Sequence, residues 1–207
     1  MNKKSVRHLT EADPIMAKIV QRVGPLRFKP RLLPPFQSLV QAIAYQQLSG
    51  KAASTILSRF RALFSENGFP TPDQVLSVTF ERLRSSGLSR PKVRYILEIA
   101  ERTRSGHVPT LDKCHDLTDQ ELLETLTEIT GVGRWTAEML LIFNLGRPDV
   151  LPVHDLGVRR GFQIAYKKRK LPEPEQLEKF GERWRPYRTT AALYLWRAAD
   201  FLEDGEW

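Results

Sequence analysis

The stretch Leu126-Thr-Glu-Ile-Thr-Gly-Val-Gly-Arg-Trp-Thr-Ala-Glu-Met-Leu140 decides the fold. Apolar residues recur at helical spacing on both sides of its two glycines, which predicts two helices joined by a tight turn. Glycine has no Cβ, so Gly131 and Gly133 can adopt positive φ and let backbone N–H groups approach a bulky anion. The second helix should begin near Arg134, where its N-terminal N–H groups add donors for a phosphate. The alternative is a turn between packed helices that binds nothing.

The charge of the chain suits a polyanionic partner. Of 207 residues, 32 are Lys or Arg and 24 are Asp or Glu, which gives a net charge of +8. Such an excess favours a polyanion, although it is also typical of a solvated face. The segment from Arg159 to Lys170 contains cations and no acid. Arg159 is placed to contact phosphate there, whereas Lys167–Lys170 fits an exposed basic loop equally well.

The single cysteine, Cys114, excludes a disulfide framework, a cysteine-based zinc site and a four-cysteine iron–sulfur cluster. The N-terminus has no apolar signal core, and no uninterrupted apolar run approaches the ~20 residues of a membrane span. We therefore expect an intracellular protein without a membrane segment. It would be cytoplasmic or in the nucleoid of a bacterium, and nuclear in a eukaryote.

Nothing in the chain alternates long enough to require a strand, so the sequence predicts an all-α protein of about ten helices. Residues 1–12 are typical of a polar lead-in, and Asp13-Pro14 predicts a capped helix start. The proline-rich segment 24–35 predicts an ordered loop. Capping boxes predict further helix starts at Thr71–Gln74 and Thr118–Glu121.

Two short segments between helices allow more than one interpretation. Tyr45–Lys51 joins two apolar helices, and its Ser49 can cap the second of them; such a segment is usually only a connector. Gly87-Leu-Ser-Arg90 echoes Gly131-Val-Gly-Arg134, with apolar residues at matching offsets. It is either a second backbone clamp on phosphate, helped by Lys92, or a helix start capped by its serine.

At these residues the chain resembles the helix-hairpin-helix DNA glycosylases, most closely their alkylpurine branch, the 3-methyladenine DNA glycosylase II family. The matching residues are Gly131–Ala137, Val153–Gly161 and Glu182 through Trp196. The resemblance covers about residues 10–203, almost the whole chain, and omits the N-terminal β-rich domain of longer members, as in a short form.

The resemblance implies one helix-hairpin-helix glycosylase domain over residues 1–207. Its hairpin would span residues 119–144 and its catalytic loop residues 145–160. Two helical lobes would flank an active-site cleft.

Asp155 is the candidate catalytic residue. Cleaving a base from deoxyribose builds positive charge on the sugar, and a carboxylate beside C1′ stabilises that charge and can orient or deprotonate water. The catalytic aspartate of the family occupies this position. Position alone favours a helix cap, since Asp is a preferred N-cap, and the two roles are compatible. His154 precedes it and would either contact DNA or pack.

Trp135 stands where bifunctional relatives have the lysine that forms a Schiff base, so the resemblance implies a monofunctional enzyme that leaves an abasic site. The family's base pocket is lined at the positions of Trp135 and Trp196, whose electron-rich faces would attract a charged alkylpurine. We add Tyr187 to this wall, and Met139, where the best-known relatives have an aromatic. Packing in the core is the alternative for both tryptophans.

The resemblance implies that Gln47 wedges into the duplex where the damaged nucleotide leaves, and a glutamine there can hydrogen-bond the orphaned base. The remaining contacts would hold the phosphate backbone without reading sequence. They are Ser49, Lys51, Lys92, Gly131, Gly133, Arg134, Thr136 and Arg159.

The resemblance also implies a monovalent cation, Na⁺ or K⁺, held by the backbone carbonyls of Thr127, Ile129 and Val132. No cofactor is required for the expected reaction, and no iron–sulfur cluster is expected. The predicted partner is double-stranded DNA that contains alkylated bases, bound by a monomer.

The sequence therefore predicts a DNA glycosylase that excises 3-methyladenine and 7-methylguanine in base excision repair. Two rivals stay open. One is a non-catalytic helix-hairpin-helix protein that binds damaged DNA, and the other is a glycosylase for a neutral base such as uracil or hypoxanthine.

Overall fold

The computed structural model describes residues 2–64 and 68–200, and every regular element in those residues is helical. This confirms the predicted all-α fold. The described residues form thirteen α-helices rather than about ten, because several are only five or six residues long. They are α1 (Lys3–Ala12), α2 (Pro14–Val23), α3 (Pro35–Tyr45), α4 (Gly50–Arg61), α5 (Pro72–Ser77), α6 (Phe80–Arg84), α7 (Arg90–Arg104), α8 (Leu111–Asp116), α9 (Asp119–Thr127), α10 (Arg134–Met139), α11 (Leu156–Ala165), α12 (Pro174–Gly181) and α13 (Arg188–Asp200). A π-helical segment (Leu140–Leu145) follows α10, and a 3₁₀ turn (Glu182–Trp184) follows α12.

The chain divides into two compact units. The first unit contains the residues up to Pro30 and those from Leu141 onward, and the second contains Arg31–Leu140. The single domain over residues 1–207 and its cleft stay predictions, and each unit is described by itself below.

The first unit is built around α13. This helix packs against α11 and α2, and α1 packs against α2. The buried cluster between them combines aliphatic and aromatic side chains, among them Leu9, Met16, Ile19, Val158, Phe162, Leu177, Trp184, Tyr194 and Leu195. Burying large side chains such as these supplies most of the stabilisation of a unit of this size.

Asp13 ties the N-terminal helices to the rest of the first unit. Its Oδ1 accepts the N–H groups of Ile15 and Met16, which confirms the predicted cap of α2. Its Oδ2 accepts the Tyr166 hydroxyl at 2.6 Å and the Trp184 indole N–H at 3.0 Å. Because Asp13 is only 2% exposed, these donors compensate for its lost hydration.

The lead-in predicted for residues 1–12 is wrong, since residues Lys3–Ala12 form α1. Asn2 caps this helix by accepting the N–H of Lys4 at 3.0 Å. Leu9 is fully buried in the core cluster. The segment carries few apolar residues, so helix formation here depends on tertiary packing more than on a strong local pattern.

The second unit is organised around α7, its longest helix at 15 residues. This helix packs against α3 and α5, and its inward face buries Val93, Ile96 and Ile99. The two predicted capping boxes are confirmed at the starts of α5 and α9. No helix among the described residues has the length and apolar character needed to cross a bilayer.

The hairpin predicted over residues 119–144 is formed by α9 and α10. The loop predicted over residues 145–160 is shorter than expected, because α11 begins at Leu156. Asp155 is the N-cap of α11, so the loop ends at this residue rather than at residue 160.

Candidate active site

The turn of the hairpin uses its two glycines differently. Gly131 has φ +86°, and a Cβ there would overlap the ring of Tyr95, lying 2.6 Å from its Cγ. Gly133 has φ −81° and ψ 170°, an extended conformation that any residue adopts, so only Gly131 uses the positive φ that both glycines allow. A Cβ at Gly133 would meet nothing within 4 Å. Because Gly133 has no side chain, no side-chain oxygen accepts a hydrogen bond from the first N–H groups of α10.

The first turn of α10 presents the side chains predicted to face DNA and the base. Trp135 is 49% exposed, which favours a ligand wall over core packing. Thr136 is buried, so a phosphate contact there would use its backbone N–H. Arg134 Nε donates to the carboxylate of Glu138 at 2.9 Å, and that carboxylate is 1% exposed. Met139 is half-buried.

The connector between α3 and α4 presents Gln47 to solvent, as predicted for a wedge. Gln47 adopts φ +56°, an uncommon conformation for a residue other than glycine. Ser49 caps α4 by accepting the N–H of Ala52 at 3.4 Å, and Lys51 is exposed in the first turn of that helix.

Lys92 does not present its ammonium group as expected of a phosphate clamp. Its Nζ donates to the carbonyl oxygens of Ala44 at 3.0 Å and Gln46 at 2.7 Å. Partial burial lowers the pKa of Lys92. The amide of Gln46 in turn donates to the carbonyl oxygen of Gly131 at 3.0 Å.

The carbonyls predicted to hold a monovalent cation lie at the same turn. The Ile129 oxygen accepts the N–H of Val132 at 2.9 Å, and a carbonyl oxygen has a second lone pair. Hard oxygen donors of this kind suit Na⁺ or K⁺. The described residues contain no cluster of His, Cys, Asp and Glu side chains able to hold a metal. The cation site at Thr127, Ile129 and Val132 stays a prediction.

In the first unit, Asp155 accepts two hydrogen bonds through its Oδ1. One comes from the N–H of Val158 at 2.8 Å, which confirms the cap. The other comes from the indole N–H of Trp196 at 2.7 Å. The carboxylate is therefore held in one orientation by groups on two helices, α11 and α13.

Two glycines on α11 make this contact possible, and the sequence reasoning missed both functions. A Cβ at Gly157 would lie 2.8 Å from Trp196 Cδ1 and 3.1 Å from Asp155 Oδ1. A Cβ at Gly161 would overlap the backbone carbonyl of Leu195. Their spacing of four residues places them on one face of the helix, and that spacing is the signal that could have found them.

The Trp196 ring packs against Phe143, with 5.6 Å between ring centroids and 32° between planes. Tyr187 directly precedes α13 and lies about 14 Å from Trp196 along the helix axis. It contacts the ring of His8 edge-on at 5.3 Å. Its role in the base pocket stays a prediction, and the separation from Trp196 argues against a shared wall.

Three further residues lie within four positions of Asp155 in the sequence. Arg159 Nε donates to the carbonyl oxygen of Pro172 at 2.9 Å, in the loop before α12. This N–H is therefore already hydrogen-bonded within the protein. His154 is exposed, so the packing alternative does not hold. Leu156 is 66% exposed directly after Asp155, an apolar residue that the sequence reasoning did not single out. Lys167–Lys170 are exposed.

Comparison with known proteins agrees with the resemblance found in the sequence. Over 202 residues the chain is 39% identical to DNA-3-methyladenine glycosylase 1 of Schizosaccharomyces pombe, an alignment that covers 97% of this chain and 89% of that protein. A solved structure of the 3-methyladenine DNA glycosylase of S. pombe in complex with abasic DNA has a TM-score of 0.86 at 38% identity, covering 97% of this chain and 98% of that one.

A second solved structure, a DNA-3-methyladenine glycosidase from Bacillus halodurans, has a TM-score of 0.90 at 36% identity. It covers 99% of this chain and 93% of that one. The family model described as HhH-GPD superfamily base excision DNA repair protein matches residues 40–186. The chain belongs to the HhH-GPD superfamily of base excision DNA repair proteins.

Proposed function

We propose that this protein is a monofunctional DNA glycosylase that excises alkylated purines, 3-methyladenine and 7-methylguanine, from duplex DNA in base excision repair. One observation carries the proposal. Asp155 is held at 2.7 Å by the Trp196 indole N–H, in a chain 39% identical to a DNA-3-methyladenine glycosylase.

The reaction breaks the bond between C1′ of the sugar and the base nitrogen, and the electron pair leaves with the base. A methylated purine already carries positive charge, so it leaves as a neutral molecule without first being protonated. Positive charge develops on the sugar, and the Asp155 carboxylate would stabilise it. Water then forms a bond to C1′ and releases a proton to Asp155 or to solvent, which leaves an abasic site.

The side chain at position 135 supports hydrolysis rather than strand cleavage. A lyase needs an amine that attacks C1′, and an indole has no such nucleophile. The half-exposed indole of Trp135 instead offers an electron-rich face to a flat cation. Met139, one helical turn after Trp135 on α10, would flank that face. Trp196 and Tyr187, in the first unit, are the further candidates for contact with the base.

Duplex DNA is the proposed partner. Backbone N–H groups at Gly133 and in the first turn of α10 would bind phosphate, because no side chain caps that helix. Gln47 would fill the space left by the extruded nucleotide. Weakened pairing of damaged bases lowers the cost of extrusion. An intracellular location follows from this substrate.

The test is base release from methylated duplex DNA by the wild type and by Asp155→Asn. Asparagine is also a good N-cap and keeps an oxygen to accept the N–H of Trp196, so the variant should fold. We expect release of both methylated purines by the wild type and a loss of about 100-fold or more in the variant. DNA affinity should be retained.

Asp73→Asn is the matched control, because Asp73 is an exposed acid in the second unit. It should release bases at the wild-type rate. Tight DNA binding by the wild type with no release of either methylated purine would overturn the proposal and favour a binding protein. Release of uracil or hypoxanthine alone would favour a neutral-base enzyme.

A further inference from the structure

The connector between α3 and α4 contains a solvent-exposed residue with an unfavourable backbone conformation. Gln47 has φ +56° and is exposed, and its neighbours Tyr45 and Leu48 are 43% and 40% exposed. A left-handed conformation at a residue other than glycine costs about 1–2 kcal/mol. Such strain persists only where the surroundings fix it.

Lys92 supplies one of these constraints from 46 residues away. Its ammonium group donates at 2.7 Å to the carbonyl oxygen of Gln46, directly before Gln47, and at 3.0 Å to that of Ala44. Both oxygens lie at the C-terminal end of α3, where carbonyls lack helical partners and a positive charge is favourable. Lys92 therefore caps the C-terminal end of α3, directly before the turn at Gln47.

Gln46 supplies the second constraint. Its side-chain amide donates at 3.0 Å to the carbonyl oxygen of Gly131, in the turn of the hairpin. Gly131 rests on the ring of Tyr95, which lies on α7 one helical turn after Lys92. One face of α7 thus supports both the connector and the hairpin turn.

We propose that Lys92 is a positioning residue that fixes Gln47 relative to the hairpin, and that it acts in base extrusion rather than in phosphate binding. This inference rests on the proposed function, because it assigns Lys92 to the flipping step of that reaction. The physical reason is geometric. Two of the three ammonium hydrogens already lie on backbone carbonyls, and a wedge must be rigid to hold a strand open.

The two roles of Lys92 predict different responses to salt. Removing a lysine that neutralises a phosphate lowers the salt slope of duplex binding by about 0.9. Removing a lysine that only positions the connector leaves that slope unchanged. It lowers instead the fraction of complexes in which the target nucleotide is extruded.

The experiment compares Lys92→Met and Gln46→Leu with the wild type, and Lys113→Met is the control. Lys113 is an exposed lysine on α8. Each protein is titrated with a duplex that carries 2-aminopurine at the extrusion site, over a series of salt concentrations. The measurements are the salt slope and the fluorescence of the unstacked 2-aminopurine. Single-turnover release of 7-methylguanine is measured separately.

We expect both variants to keep the wild-type salt slope. The extruded fraction and the release rate should fall about 10- to 100-fold in Lys92→Met, the worth of a hydrogen bond to a charged group, and about 3- to 10-fold in Gln46→Leu, whose lost hydrogen bond joins two neutral groups. Lys92→Arg, which keeps a donor cation, should restore part of the signal. Lys113→Met should match the wild type in extrusion and release.

A lower salt slope in Lys92→Met with full extrusion would overturn the proposal, as would unchanged extrusion in Gln46→Leu. Circular dichroism establishes whether each variant is folded. If Lys92→Met does not fold, Gln46→Leu and Lys92→Arg still test the proposal. Fluorescence and salt slope do not depend on base release. A wild type that extrudes the nucleotide but releases no methylpurine would contradict the proposed function and leave the role of Lys92 supported.

Discussion

Two turns of the second unit have nearly the same backbone and different uses. Gly87-Leu-Ser-Arg90 and Gly131-Val-Gly-Arg134 each begin with a glycine at positive φ, +100° and +86°. Each continues with a buried apolar residue and starts a helix at the arginine. The internal repeat predicted from the sequence is confirmed at the level of these turns.

The two turns differ in their third residue, which is Ser89 in the first and Gly133 in the second. Ser89 and Gly133 have similar backbone angles, φ −68° and ψ 157° against φ −81° and ψ 170°. Ser89 accepts the N–H of Lys92 and closes its own helix, whereas Gly133 offers no cap. The serine-capped interpretation of the first turn is thereby supported. A turn that satisfies its own N–H groups contributes to stability, and one that does not leaves donors for a ligand.

The largest difference between the turns should appear when each first glycine is replaced by alanine. Gly131→Ala adds a Cβ that overlaps the Tyr95 ring and also strains the backbone. We expect its free energy of unfolding to fall by about 2–4 kcal/mol. Gly87→Ala meets only the flexible Ile56 side chain, 3.2 Å away, and should lose about 1–2 kcal/mol. Urea denaturation measures both.

Equal losses at the two glycines would show that the Tyr95 contact contributes nothing beyond backbone strain. The Tyr95→Ala background separates the two terms. In that background Gly131→Ala should cost no more than Gly87→Ala costs in the wild type, since the overlapping ring is gone.

An intermediate effect is expected when the second turn is given the cap of the first. Gly133→Ser fits, because a Cβ there meets nothing within 4 Å. Its hydroxyl should bond the N–H of Thr136 and stabilise the fold by a few tenths of a kcal/mol. DNA affinity should nevertheless fall about tenfold or more, because a donor for phosphate is then used internally. Fluorescence anisotropy with a duplex measures the affinity.

Gly133→Ala is the control for bulk, since it adds a Cβ without an acceptor. If it weakens DNA binding as much as Gly133→Ser does, crowding rather than competition for the N–H explains the loss. Ser89→Ala completes the comparison. It should cost about 1 kcal/mol of stability and leave DNA affinity unchanged.

The smallest effect concerns Glu98, which links α7 to the second turn. Its Oε1 accepts the N–H of Thr130 at 3.2 Å and Nε–H of Arg102 at 3.3 Å. Partial burial alone would raise the pKa of Glu98, but the Thr130 hydrogen bond and the Arg102 charge together lower it below the ordinary 4.5. The bound carboxylate therefore stabilises the fold above pH 4.5, and this stabilisation is lost as the pH falls through the lowered pKa.

Glu98→Gln should flatten the pH dependence of stability below pH 4.5 and lower stability slightly at neutral pH. Thermal unfolding across the acid range measures this. Glu101→Gln, an exposed acid on the same helix, is the matched control. A pH profile of Glu98→Gln that parallels the wild type would remove Glu98 from the support of the hairpin turn.

Much of the candidate site could be predicted from short segments. Paired glycines located the hairpin, and Asp155 was recognised as a cap and as the candidate carboxylate. The connector at Gln47 was also found. The hairpin and the cap at Asp155 depend on residues within a few positions of one another, where backbone preference and capping chemistry act. The carboxylate role of Asp155 and the wedge role of Gln47 rest instead on the resemblance to the glycosylases. The N-terminal helix was missed because its stability comes from burying Leu9 against distant residues.

The sequence by itself determined the all-α fold and the hairpin, because helical periodicity and glycine spacing are local properties. Asp155 became the candidate carboxylate only through the resemblance to the glycosylases. Only the tertiary structure decided that the ammonium group of Lys92 closes α3, and that Gly157 makes room for Trp196 against Asp155. The hydrogen-bonded partners, Lys92 with Gln46 and Trp196 with Asp155, lie 46 and 41 residues apart in sequence. Their contacts follow from how closely two helix backbones approach, which no local pattern encodes.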